Sequence, residues 1–125
     1  MNKDEIFDQL SDDFKTTNLS NSTLIDIGNI VIRMSLKEND PIVLEAMFHA
    51  IVSLIETHDI AKYLIMDSII DNIGCYNEQC IEYILCVLSY TGKEEYITIM
   101  YKINNMYPYL DVQEYIDELR SRMDL

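Results

Sequence analysis

Glu45 and His49 stand four residues apart in a run of helical spacing, so one helix face carries both. A carboxylate beside an imidazole can begin a metal site or an acid–base pair. His58 is the only other histidine, and no third or fourth ligand accompanies the pair. A polar stripe is the expected reading, with no metal, no catalytic residue and no cofactor. Cys75, Cys80 and Cys86 do not follow zinc spacing. Cys80 and Cys86 lie about 240° apart around a helix, so they do not converge. Three cysteines cannot all pair within one chain, and buried, inert, reduced thiols are expected. Asp67 and Asp71 share another helix face. A glycosidase-like pair would need a sugar cleft that a chain of this size has little room for, which leaves a solvated acidic face or a patch for a basic partner. Glycine-rich phosphate loops, Gly-x-Ser-x-Gly and His-Glu-x-x-His are all missing.

Charge and tyrosine say more than these pairs do. Nine basic residues oppose 22 acidic ones, a formal net charge of −13. Such a field repels phosphates and anionic lipid and draws in cationic partners. Direct nucleic-acid binding is therefore not expected; solubility alone is the plainer reading of the charge. All nine tyrosines lie at or beyond Tyr63, and Tyr76, Tyr83 and Tyr90 recur every seven residues. Tyrosine joins apolar area to a hydroxyl and is frequent in protein interfaces. Half or more of them are expected simply to pack between helices.

The elements that position these groups read as helices almost throughout. The 125 residues suit one domain, with an N-terminal helix and loop over 1–21 and helical hairpins over 22–125. A first helix is expected from Asp4 to Phe14. A second, from about Ser22 to Leu36, would bury Leu24, Ile27, Ile30, Val31 and Met34. Asp40-Pro41 marks a third start, since Asp caps free N–H groups and Pro suits the first helical position. That helix, to Ile55, is apolar except for the stripe Glu45, His49, Ser53 and Glu56. The next is expected from Asp59 to Ile73, burying Ile60, Leu64, Ile70 and Ile73 and ending at Gly74. Asn77 caps a helix that runs to Tyr90 and stops at Gly92, with Glu78, Glu82 and Ser89 as its polar stripe. A helix from Glu94 to Met106 is closed by Pro108. Asp111 with Glu114 forms a capping box for a last helix to about Met123. No signal peptide is visible and no run is long enough to span a membrane, so a cytoplasmic location is expected.

Helix starts near 22, 40, 59, 77, 93 and 111 make two-helix units of about 35 residues. Leu44-Glu45 in one unit corresponds to Ile81-Glu82 in the next. The expectation is an all-α fold of about seven helices in antiparallel hairpins, a short α-solenoid; a compact helical bundle is the alternative.

With its Asp-Pro start, this period and this alternation of buried and amphipathic helices, the chain resembles HEAT-type repeats over about residues 40–120. Its size and acidity also resemble the helical immunity proteins of bacterial polymorphic-toxin and contact-dependent-inhibition systems. The resemblance implies stoichiometric binding of a basic toxin domain, often a nuclease, in the cytoplasm of the producing cell. Asp67 and Asp71, with Tyr101 and Asn105 on the corresponding helix of the next unit, and Glu45 and Glu82, are the expected partner-binding residues. The protein is expected to be a monomer or a weak homodimer. A scaffold holding a partner's peptide or helix is the alternative function, and an enzyme using Glu45–His49 or a cysteine is the third.

Overall fold

The structure is a computed structural model that describes residues 1–123. It contains seven α-helices and no strand among the described residues: α1 (Lys3–Phe14), α2 (Asn21–Ser35), α3 (Pro41–Thr57), α4 (Asp67–Asp71), α5 (Glu78–Thr91), α6 (Ile97–Met106) and α7 (Val112–Ser121). Single 3₁₀ turns stand at Ala61–Tyr63, Ile73–Cys75 and Glu94–Tyr96. The odd-numbered helices α1, α3, α5 and α7 lie side by side in that order. Against them pack α2 on α3, the Ala61–Tyr63 turn on α5, and α6 on α7. That neighbour order is a short stack of hairpins around one continuous core.

Local chemistry explains most of the boundaries. Ser20 accepts the N–H of Thr23 at 3.2 Å and opens α2. Asp40 accepts the N–H of Ile42 at 2.9 Å ahead of Pro41, and Asn77 accepts the N–H of Cys80 at 2.9 Å. Gly92 ends α5 in the left-handed region, with φ 65°. α3 is the centre of the stack, buried nearly all round because α1, α2 and α5 each cover a side.

Several local expectations are corrected. Asp59–Ile73 is not one helix; it is a strap made of the Ala61–Tyr63 turn, α4 and the Ile73–Cys75 turn. Asn29, reaching across from α2, donates to the Tyr63 carbonyl at 3.3 Å and accepts the Ile65 N–H at 2.8 Å. These bonds satisfy backbone groups that a continuous helix would pair internally, so the chain can open there without stranding them. The strap buries Ile60, Leu64, Met66, Ile69 and Ile73, while Ile70 is only half-buried; the two-residue step from Leu64 to Met66 is not helical. Gly74 lies within the second turn and is not a left-handed cap.

α2 is rotated from its expected orientation. It buries Leu24, Gly28, Val31, Ile32 and Ser35 and exposes Ile30 and Met34. Gly28 is the cause: a Cβ there would fall 2.8 Å from Leu64 Cδ2 and 3.0 Å from Leu54 Cδ2, so the bare backbone seats α2 closely. Ser53 belongs to the core and not to a wet stripe, since it shares a buried hydrogen bond with Ser11 across the α1–α3 seam. Ser89 is likewise buried and donates to the Cys86 carbonyl. Asp111 makes no capping bond; the Val112 N–H bonds the Leu110 carbonyl at 2.8 Å instead. The last helix ends at Ser121.

The Asn29 clamp makes a prediction. Asn29→Ala removes both bonds to the strap and lowers stability by about 1.5 kcal/mol. Urea denaturation measures the loss, and amide exchange at Ile65 should rise with it. A change under about 0.5 kcal/mol would mean the strap is held by its buried side chains alone.

Candidate functional site

α1, α3 and α5 meet around an open notch. Asp4 and Asp8 reach it from α1, Glu45 and His49 from α3, and Tyr83 from α5, with Ile42 and Ala46 of α3 completing the lining. Each helix aims its contribution by burying the opposite face. Phe7, Ser11 and Phe14 of α1 turn inward, which leaves Asp4 and Asp8, one turn apart, on the notch side. Glu45 is fixed by Asn77, whose Nδ2 donates to Oε1 at 3.0 Å. Asn77 thus caps α5 and holds a carboxylate of α3 at once. The rings of His49 and Tyr83 lie 5.6 Å apart, inclined at 45°.

The notch is electrically one-sided. No Lys or Arg lines it. Partial burial pushes the Tyr83 hydroxyl upward, and the charges of Glu45, Glu82 and Asp8 add to that, together with Cys80. Three helices therefore bring negative charge to one tyrosine. At about 240 Å³ the space falls short of pockets that enclose small-molecule ligands. Its shape and charge suit an inserted cationic side chain. Among the described residues, no group of three or more His, Cys, Asp or Glu side chains is arranged to hold a metal.

A second acidic face lies on the strap. Asp67, Ile70 and Asp71 of α4 line a groove with Glu95, Tyr96 and, on α6, Thr98, Ile99 and Lys102. The Tyr96 hydroxyl donates to Asp67 at 3.5 Å and is pushed up to about 12, by burial first and then by Asp67 and Glu95. Lys102 offsets part of the charge here. Tyr101 and Asn105 do not line this groove: the Tyr101 hydroxyl accepts a bond from Arg120 of α7 at 3.1 Å, and Asn105 is exposed beyond it. Four of the expected partner-binding residues thus divide between two surfaces, with Glu45 and Glu82 beside Tyr83 and Asp67 and Asp71 beside Tyr96, while Tyr101 and Asn105 line neither. Sequence reading missed Asp4, Asp8, Asn77 and Tyr96. The spacing Asp4/Asp8 matches that of Glu45/His49 and was the available signal. Glu95, Thr98, Ile99 and Lys102, at i, i+3, i+4 and i+7, were the equivalent signal on the strap side.

Most tyrosines pack. Tyr96 is buried, and Tyr76, Tyr83, Tyr90, Tyr107 and Tyr115 lie partly buried against the core. Tyr63, Tyr101 and Tyr109 are exposed. Tyr109 donates to Glu78, and Arg122 sits 4.0 Å over the Tyr90 ring. Of the cysteines, Cys75 is exposed, contrary to expectation; Cys80 is buried and Cys86 half-buried. Burial pushes both of these thiols up to about 11, which keeps them protonated and poorly nucleophilic near neutrality.

These shifts set an alkaline limit. Cys80, Cys86 and Tyr96 stay protonated in the fold after their unfolded counterparts have ionised. Unfolding then releases protons, so the contribution of these three groups is constant below about pH 8.5 and falls as pH rises through about 9 to 12. Each group contributes a slope of up to about 1.4 kcal/mol per pH unit. Denaturation midpoints across this range test it; a midpoint that held steady to about pH 11 would contradict the burial of these three groups.

Comparison with protein families, with curated proteins and with solved structures finds no match to this chain.

Proposed function

We propose that this protein is an acidic protein-binding module that captures a basic partner through the notch formed by α1, α3 and α5. The observation that carries this reading is the convergence of Asp4, Asp8 and Glu45 from two helices around His49 and Tyr83, with no cation lining the space. A Lys or Arg of the partner enters beside the carboxylates while its stem packs on Tyr83 and Ile42. The notch is preferred to the strap groove because Lys102 opposes a cationic guest there. A net charge of −13 steers the encounter, and packing around the inserted side chain sets the dissociation rate.

The partner we propose is a toxin domain of the nuclease class, neutralised in the cytoplasm of the bacterium that makes both. Carboxylates of the notch then occupy a cationic cleft that would otherwise hold phosphates. Complexes of nucleases with their protein inhibitors are among the tightest known, so one protein surface can supply the affinity that neutralisation needs. A rigid helical scaffold helps by lowering the cost of ordering the contact surface. No helix among the described residues is long and apolar enough to cross a membrane.

A tagged pull-down from cells that make the protein, washed at low and at high salt, tests the proposal. One basic protein recovered stoichiometrically, and toxic when expressed alone, is the expected result. Recovery of several partners, none of them basic, would overturn it in favour of an adaptor.

A further inference from the structure

We infer that the N-terminal end of the stack carries a second docking surface, a groove that receives an acidic amphipathic helix of a partner protein. α1 and α2 both rest on α3, and a groove opens between them. Ile6 and Phe7 of α1, Met34 of α2 and Met47 of α3 form its apolar lining. Lys3 and Lys37 stand on its rim, with Glu38 the one carboxylate. Asp4 and Asp8, although on the same helix as Lys3 and Ile6, line the acidic notch instead.

The two outer helices of the stack, α1 and α7, differ. Terminal helices of stacked hairpins normally turn a polar face to water. α7 does so: Gln113, Glu114, Asp117, Arg120 and Ser121 are its exposed residues. α1 instead leaves Ile6 49% exposed, and α2 leaves Ile30 and Met34 at 46% and 45%; at the other end α6 exposes Met106 and Tyr101 at 43% and 40%. Ile30 and Met34 are one turn apart on α2, so they share one exposed face of that helix. Methionine lining suits a helix, since its flexible side chain moulds to an apolar stripe.

Charge selects the occupant. In a chain of net −13, two cations, Lys3 and Lys37, line this groove, and Arg33 adjoins Met34 on α2. Lys3 pairs with Glu38 at 3.3 Å, while Arg33 and Lys37 are in no ion pair among the described residues. An apolar floor with a basic rim matches a helix whose Leu or Ile stripe is flanked by Glu or Asp. A second copy fits less well. Face to face, it would set these cations against one another; head to tail, it would offer the polar face of α7.

The probe is a fluorescein-labelled synthetic helix of about 15 residues, roughly 22 Å long, with Leu at i, i+3, i+4 and i+7 and Glu elsewhere. Anisotropy is read against the full chain at about 0.15 M salt, where the Debye length is about 8 Å. Saturable binding is expected, weakened tenfold or more by Met34→Asp and by the pair Lys3→Glu and Lys37→Glu. These sites are exposed, and circular dichroism verifies that the variants remain folded. A scrambled peptide of the same composition should not bind. No binding of the Glu peptide, equal binding by all the variants, or preference for a Lys-for-Glu peptide would overturn the inference. So would partition of the protein to anionic phospholipid vesicles, or a dimer that Met34→Asp dissolves, in place of peptide binding.

Discussion

Replacing Phe48 by alanine lowers the unfolding free energy by about 4 kcal/mol, the largest loss expected of any single truncation in this chain. Phe48 is 1% exposed on the central helix α3. Its ring meets that of Tyr76 edge-on, with centroids 5.4 Å apart. Tyr76 closes the strap and immediately precedes Asn77, the cap of α5, so the ring joins the stack's centre to the start of the next hairpin. Removing it leaves a cavity that α3, pinned on three sides by α1, α2 and α5, cannot collapse to fill. A domain of this kind has only about 5 to 15 kcal/mol in total, so the variant sits near the limit of folding. Ile42→Ala on the same helix is the control. Ile42 is 63% exposed, and its loss should change stability by less than about 0.5 kcal/mol. Equal midpoints for the two variants in urea would mean that α3 is not the centre of the core.

Gly92→Ala should cost about 3 kcal/mol, for two separate reasons. The backbone at Gly92 has φ 65°, a conformation that costs an L-residue about 1 to 2 kcal/mol. A Cβ there would also lie 2.6 Å from the carbonyl oxygen of Arg122, a backbone atom that no rotamer change can move aside. Relief requires the end of α7 to shift away from α5, disturbing the Arg122 guanidinium stacked over Tyr90. Gly74→Ala gives the contrast. No atom lies within 4 Å of its added Cβ and its φ is not positive, so that variant should be neutral or slightly stabilising. Thermal melts of the pair measure the difference directly, and similar melting temperatures would contradict the left-handed cap.

The same two glycines show why some of the architecture was legible in the sequence and some was not. Gly92 follows a helical run with a cap at each end, so its role is local and readable; Asp40-Pro41 and Asn77 are readable for the same reason. Gly74 has a similar sequence setting, yet the chain before it is a strap. What opens the strap is Asn29, a side chain 34 and 36 residues away from the backbone groups it satisfies. No window along residues 59–75 contains that information. α2 was misoriented because counting apolar residues gives Gly28 and Ser35 no weight, whereas packing favours the face where backbones can approach. The candidate site was half legible. Glu45, His49 and Tyr83 were marked by spacing. Asp4 and Asp8 joined them only once α1 was seen to lie against α3, and Tyr101 and Asn105 left the strap surface once α6 was seen to turn them toward α7 and solvent.

In the proposed capture, charge acts at the notch and not merely over the whole surface. The most direct measurement is the dissociation constant for the captured basic protein, compared among three double variants that each remove two charges: Asp8→Asn with Glu45→Gln, Asp67→Asn with Asp71→Asn, and Asp12→Asn with Asp13→Asn. Gln at 45 keeps an oxygen for Asn77, so the cap of α5 is retained. Capture at the notch predicts that the notch pair weakens binding a hundredfold or more, about 2.7 kcal/mol, while the Asp12/Asp13 pair changes it by less than about threefold. Equal losses from all three pairs would contradict it and reduce the acidity to diffuse attraction; a dominant loss from the Asp67/Asp71 pair would move the binding face to the strap.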